Sequence, residues 1–115
     1  MIFYFIFVII CQVKKSIVKE FGATIRELRE KKGLLLRQVA AELDIDTALL
    51  SKVERGERFI KKDQVKRIAE IIGTEEKGLL VLWLSAKINS VIKNEDFPLE
   101  ALKLSLKKSK KERLQ

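Results

Sequence analysis

Apolar side chains recur at helical intervals through most of this chain. Ile17, Phe21, Ile25 and Leu28 fall at i, i+4, i+8 and i+11, with Arg26, Glu27, Arg29, Glu30, Lys31 and Lys32 on the other faces. That spacing predicts a first amphipathic helix, capped by Ser16 and ended by Gly33. Val39, Ala40 and Leu43 make one stripe on a second helix over residues 36–43. Leu49, Leu50 and Val53 make another on a third helix over 47–55, with Asp46 as N-cap and Gly56 past its end. Only the polar break Asp44-Ile45-Asp46 separates the two. Residues 58–61 read as a connecting loop. A fourth helix follows over 62–72, with Val65, Ile68, Ala69 and Ile72 at i, i+3, i+4 and i+7, closed by Gly73.

Thr74 is placed to cap a fifth helix, whose first turn carries Glu75 and Glu76 against the positive dipole end. Residues 79–84, LLVLWL, are apolar nearly all round, and a helix apolar on every side is expected to be buried on every side. One face can cover the four-helix body. The other needs a further surface, and a second copy of the chain is the simplest. Leu79, Leu80, Leu82, Trp83 and Ala86 are therefore the candidate dimerisation residues, and Ile88, Val91 and Ile92 continue the stripe. A long core helix in a monomer is the alternative. After a break at 94–98, Leu99, Leu102 and Leu106 share one face of a sixth helix, with Pro98 in its first turn. Its end is basic (Lys103, Lys107, Lys108, Lys110, Lys111, Arg113) and reads as a frayed, solvated tail, with nonspecific phosphate contact as the functional alternative. There is no internal repeat.

The first ten residues, MIFYFIFVII, carry no charge, and Lys14-Lys15 follow soon after. A stretch of about ten to thirteen apolar residues is too short to span a bilayer, which needs roughly 20. A secretory signal would place charge before the apolar run and small residues after it, the reverse of what stands here. The leading expectation is a start codon assigned too early, with synthesis beginning near Val13 or Val18. A short membrane-associated anchor and a strand paired with another chain are the alternatives. The chain thus divides into an apolar extension (1–15), a helix-turn-helix body (16–74), a fifth helix for dimerisation (75–94) and a basic C-terminal helix or tail (95–115).

Composition narrows the chemistry. The net charge of +8 favours polyanions, nucleic acid or an anionic surface. The excess is spread along the chain, +2 over residues 1–20, +3 over 21–72 and +3 over 73–115, so position must matter more than total charge. One cysteine, Cys11, and no histidine exclude an internal disulfide, a Cys/His zinc site and every Ser-His or Cys-His arrangement. Glu27, Glu30, Glu54 and Glu70 sit among basic residues at helical spacings and read as ion pairs. The glycines are isolated, with no phosphate-cradling loop. The expectation is a protein that is not an enzyme, with no cofactor and no metal.

Two short helices joined by a tight turn form a helix-turn-helix, which places its second helix in the DNA major groove. Several pieces carry a closer resemblance: IRELREKKG, the Val39-Ala40 pair, Leu50-Ser51-Lys52-Val53, Glu54-Arg55-Gly56, and IAEIIG at 68–73. In this order and spacing, from about Phe21 to Gly73, the chain resembles the lambda-repressor-like (Xre/Cro) family of regulators. The restriction-modification controllers within it are particularly similar in size. The resemblance implies an all-α fold, a four- to five-helix lambda-repressor-like DNA-binding bundle with an extra C-terminal helix. It further implies a cytoplasmic homodimer on operator DNA.

On that resemblance, Thr47, Ala48, Ser51 and Lys52 occupy the groove-facing start and face of the third helix. Thr47 can bond a base edge or phosphate, Ala48 can touch a thymine methyl, and Lys52 can reach guanine or phosphate. Arg37, Gln38, Arg55, Arg58, Lys61 and Lys62 would flank the groove and contact phosphates. Asp46 is expected to cap its helix rather than accept from a cytosine. Glu54 is expected to be structural, paired with Arg26, Arg29 or Arg55. Two positions depart from the family. Leu36 stands where glutamine is frequent and would pack on a thymine methyl or on the protein itself. Asp44 replaces the turn glycine, and it tolerates left-handed backbone better than most residues. The function expected is a sequence-specific transcriptional regulator on a roughly palindromic operator, with double-stranded DNA and a second copy as partners. The alternative is an antitoxin-like protein that holds a different protein partner on its fifth helix, with DNA binding as autoregulation. A membrane-tethered regulator is the third reading.

Overall fold

The computed structural model describes residues 20–113, and every element among them is a helix. The apolar extension, the cap assigned to Ser16 and the position of Ile17 lie outside the described residues. In chain order the helices are α1 (Glu20–Lys31), α2 (Leu36–Glu42), α3 (Thr47–Glu54), α4 (Lys62–Ile72), α5 (Glu76–Ile92) and α6 (Pro98–Arg113).

The apolar stripes read from the sequence converge on one core. Phe21 and Ile25 come from α1, Val39 and Ala40 from α2, Leu50 and Val53 from α3, and Val65, Ile68, Ala69 and Ile72 from α4. Leu43 and Ile60 add to it from connections, and Leu79 and Trp83 from α5. Helix α1 packs on α3 and α5, α2 packs on α3 and α4, and α4 packs on α5. Short helices are marginal in water, so the seven- and eight-residue α2 and α3 depend on this burial. Each fully buried Leu, Ile or Val contributes about 1.5–3 kcal/mol of transfer free energy toward it.

Polar side chains finish the helix ends. Gln38 Oε1 accepts from the Leu35 N–H at 2.7 Å, and Gln64 Oε1 accepts from the Lys61 N–H at 2.9 Å, so each glutamine caps its own helix start. Lys32 Nζ donates to the Ile71 carbonyl at 3.0 Å, and Arg67 donates to the Glu42 carbonyl. Both cations thereby meet the negative end of a neighbouring helix.

Three expectations change. Thr74 does not cap α5: it lies one residue before the N-cap position, and its backbone N–H closes α4 by donating to the Ala69 carbonyl at 2.9 Å. Glu75 is the N-cap instead, without a side-chain cap bond. Helix α5 is not buried all round: Leu79 and Trp83 enter the core, while Val81, Leu84, Ile88 and Val91 are exposed. The basic C-terminal stretch is not frayed but helical through Arg113, with no buried residue among those described.

Candidate nucleic-acid interface

Helix α3 has two chemically opposite faces. Leu50 and Val53 are fully buried, and Glu54 is buried beside them. Thr47, Ala48, Lys52 and Arg55 are exposed and Ser51 is half-buried; Ala48, Ser51, Lys52 and Arg55 lie on the side turned away from Leu50. Period 3.6 accounts for the split: positions 48, 51, 52 and 55 share one face and 50, 53 and 54 share the other, while Thr47 is exposed because it stands at the first residue of the helix. Asp46 accepts from the Ala48 N–H at 3.2 Å, so its carboxylate serves as the N-cap.

The turn before α3 carries a left-handed residue, Asp44, at φ 55°. Aspartate is among the few residues other than glycine that adopt this conformation. After α3, Gly56 at φ 79° ends the helix and its N–H donates to the Val53 carbonyl at 3.0 Å.

A buried ion pair joins α3 to α1. Arg29 Nε donates to Glu54 Oε2 at 2.8 Å and Nη2 donates to Oε1 at 3.1 Å. The remaining Nη1 donates to the Leu34 carbonyl at 2.8 Å. One guanidinium therefore ties α1, the end of α3 and the connection into α2. Hydrogen bonding to Glu54 holds the Arg29 guanidinium above its ordinary pKa, outweighing the desolvation that would lower it. Of the three partners considered for Glu54, the fold selects Arg29. Arg26 instead pairs with Glu30 at 3.0 Å, and Arg55 with Glu57 at 3.2 Å.

The two helices also touch directly. A Cβ placed on Gly22 would lie 2.3 Å from the Val53 carbonyl oxygen and 2.7 Å from that of Glu54. Only glycine lets the α1 backbone approach the end of α3 this closely. The sequence reading passed over Gly22; its signal is an isolated glycine inside an otherwise good helical pattern.

The flanking positions fall into distinct places. Arg37 is exposed on the first turn of α2. Gln38 is exposed, but its carbonyl oxygen is engaged at the α2 start, which leaves its amide N–H groups to face outward. Arg55, Arg58 and Lys61 are exposed at the end of α3 and along the connection to α4. The Arg55–Glu57 pair is more than half exposed on both sides, so the arginine can exchange it for another anion at small cost. Lys62 stands apart, beside Glu75, Glu76 and Lys77 in the groove at the start of α5. Leu36 is half-buried against the core, so it packs on the protein.

Among the residues assigned to dimerisation, Leu79 and Trp83 belong to the chain's own core, while Leu80, Leu82 and Ala86 are half-buried against it. Trp83 Nε1 donates to the Ile60 carbonyl at 2.9 Å, and Lys87 Nζ lies 4.1 Å from its ring centroid. Trp83 thus pins the α3–α4 connection to α5, a role with no signature in the apolar pattern. No helix among the described residues is long and apolar enough to cross a membrane.

A helix-turn-helix domain model matches residues 20–80, more than half of the chain. Control protein C.BamHI of Bacillus amyloliquefaciens is 31% identical over 61 residues, covering 52% of this chain and 75% of that protein. The HTH-type transcriptional repressor RghR of Bacillus subtilis (strain 168) is 31% identical over 64 residues, covering 55% of this chain and 47% of that protein. No solved structure matches. The matched span begins at α1 and ends in the first turns of α5, so it encloses the whole α2–turn–α3 unit, and α6 lies beyond it. With that unit, its buried Arg29–Glu54 tie and its closing Gly56 all in place, this chain belongs to the helix-turn-helix family, in its lambda-repressor-like (Xre/Cro) form.

Proposed function

We propose that the protein is a transcriptional regulator that binds double-stranded DNA with α3 in the major groove. The observation that carries this reading is the division of α3: Leu50, Val53 and Glu54 anchor one face, Ala48, Lys52 and Arg55 stand open on the other with Ser51 half-buried among them, and Thr47 is exposed at the helix start. Thr47 and Ser51 offer hydroxyls to base edges or phosphates, Ala48 offers a methyl to thymine, and Lys52 reaches guanine or phosphate. Arg37, Arg55, Arg58 and Lys61 set the helix on the backbone, and the Gln38 amide can donate beside them. Lys62 contributes at most from the edge, next to the acidic start of α5.

So few base-reading groups in one chain favour a homodimer on a roughly palindromic operator, its two α3 helices about 34 Å apart. The similarity to a control protein supports a restriction-modification controller as the role, and the second relative's name supports repression. A cytoplasmic setting follows from DNA as the target. The exposed apolar side of α5 favours a second reading, an antitoxin-like protein that holds a different protein there. An adjacent methyltransferase gene supports the controller, and an adjacent toxin gene supports the antitoxin.

The test is protection of DNA upstream of the protein's own gene, repeated with Lys52→Ala over a range of salt. A protected, roughly symmetric site that Lys52→Ala weakens is the expected result. Undiminished binding by that variant at every salt concentration would remove α3 from the groove.

A further inference from the structure

Two unpartnered apolar stripes remain on the described surface, and their spacing matches. On α5, Val81, Leu84, Ile88 and Val91 lie at i, i+3, i+7 and i+10, with exposures of 51%, 53%, 41% and 72%. This is the alternation of three and four that makes a helix–helix seam. On α6, Leu99, Leu102 and Leu106 lie at i, i+3 and i+7, with exposures of 61%, 36% and 57%. None of the described residues of α6 is buried. Helices in proteins draw most of their stability from packing an apolar face, so its leucines call for a covering surface. The chain's own α5 does not supply it, since both stripes stay exposed in the single chain. Between them the connection ends on Phe97, a non-glycine residue held left-handed at φ 59°.

We propose that the occupant of the α5 seam is α6 of a second copy, given and received reciprocally across a two-fold axis. This deepens the homodimer reading above and rests on it. The seam from Val81 to Val91 runs about 15 Å, and the leucine stripe about 10.5 Å, at 1.5 Å per residue. Packed antiparallel, Leu99 lies beside Val91, Leu102 beside Ile88 and Leu106 beside Leu84. The charges then agree. Lys110, Lys111 and Arg113 arrive at the start of the partner helix, where Glu75 and Glu76 outnumber Lys77. The parallel arrangement would bring that cluster to Lys93, Glu95 and Asp96 and would leave Glu75 and Glu76 without a counterpart. A two-fold exchange satisfies both stripes of both chains and leaves no open end. The remaining α6 lysines stay in solvent.

The exchange is tested on full-length chains with Cys11→Ser. One chain carries Ile88→Cys, and a differently tagged chain carries Leu102→Cys. After mixing, a short bis-maleimide should join the two tags within one dimer. Crosslinking of Ile88→Cys chains to one another, or no crosslink between tags, would overturn the exchange. In parallel, Leu102→Glu with Leu106→Glu should weaken dimerisation at least tenfold by light scattering, with helical content retained because α6 has no buried residue. A dimer unaffected by that pair of changes overturns the exchange while leaving the homodimer standing. A monomeric wild type at every concentration overturns both, and footprinting still judges DNA binding independently.

Discussion

Arg29 and Glu54 stand 25 residues apart in sequence and meet by two nearly parallel hydrogen bonds, at 2.8 and 3.1 Å. Their side chains are only 10% and 5% exposed. Removing one partner leaves the other charge stranded in the protein. Glu54→Ala and Arg29→Ala are each expected to cost about 3–5 kcal/mol, read as a fall in the urea midpoint. Replacing both with apolar residues of similar volume should cost far less than either single change. A cost for Glu54→Ala below that of an exposed pair such as Arg26–Glu30 would contradict the buried clamp. The raised Arg29 pKa adds stability that is fully present below arginine's unfolded value and is lost only as pH rises through the higher folded value. The guanidinium side of the pair therefore gives no pH dependence near neutrality.

Gly22 sits against the same end of α3, where carbonyl oxygens of Val53 and Glu54 leave no space for a Cβ. Gly22→Ala removes glycine's helix penalty yet must push backbone apart, so the clash wins. A loss of about 3 kcal/mol or more is expected in thermal unfolding, against the gain of about 1 kcal/mol that an unhindered site would give. Because the shift moves α3, operator affinity should fall as well. Stabilisation by this change would show that the helices are further apart than described.

Asp46 serves folding and opposes binding. Its carboxylate accepts from the Ala48 N–H at the start of α3, yet it places a negative charge where phosphates would approach. Asp46→Ala should cost about 1 kcal/mol of stability while raising nonspecific DNA affinity. Asp46→Asn keeps the cap and sheds the charge, so it should bind more tightly at near-unchanged stability. Nitrocellulose filter binding and calorimetry on the two variants separate these effects. Equal affinities for all three proteins would place Asp46 away from the DNA.

Lys52 is exposed on the open face of α3. One lost phosphate contact should flatten the slope of log K against log salt by about 0.9. If the lysine reads a guanine instead, Lys52→Ala should cost about 1–3 kcal/mol at that base pair alone and relax the preference there. Titrations on the operator and on single-base variants distinguish the two roles.

Trp83 is the only tryptophan, so its fluorescence reports its own environment. Trp83→Phe keeps an aromatic ring in the core but strands the Ile60 carbonyl, at an expected cost of about 1–3 kcal/mol. Hydrogen exchange should then quicken in the α3–α4 connection that carries Arg58 and Lys61. Unchanged exchange there would mean that the connection is held by Ile60 packing alone.

Local pattern determined much of this protein. The apolar stripes placed the body helices, because burial at a 3.6-residue period leaves a direct trace in the order of residues. Asp46 as a cap, Asp44 in the turn and Gly56 past α3 were legible for the same reason: each acts on backbone within a few positions. Tertiary structure alone decided the rest. Arg26, Arg29 and Arg55 looked equivalent as partners for Glu54, and only the packing of α1 on α3 chose Arg29. Gly22 was silent because its constraint comes from backbone more than thirty positions away. The apolar run in α5 could not say which residues enter the core. That depended on where α1 and α4 lay against it, which drew in Leu79 and Trp83 and left Val81, Leu84, Ile88 and Val91 outside. A sequence records what each residue prefers, whereas contacts between distant segments exist only once the helices have taken their places.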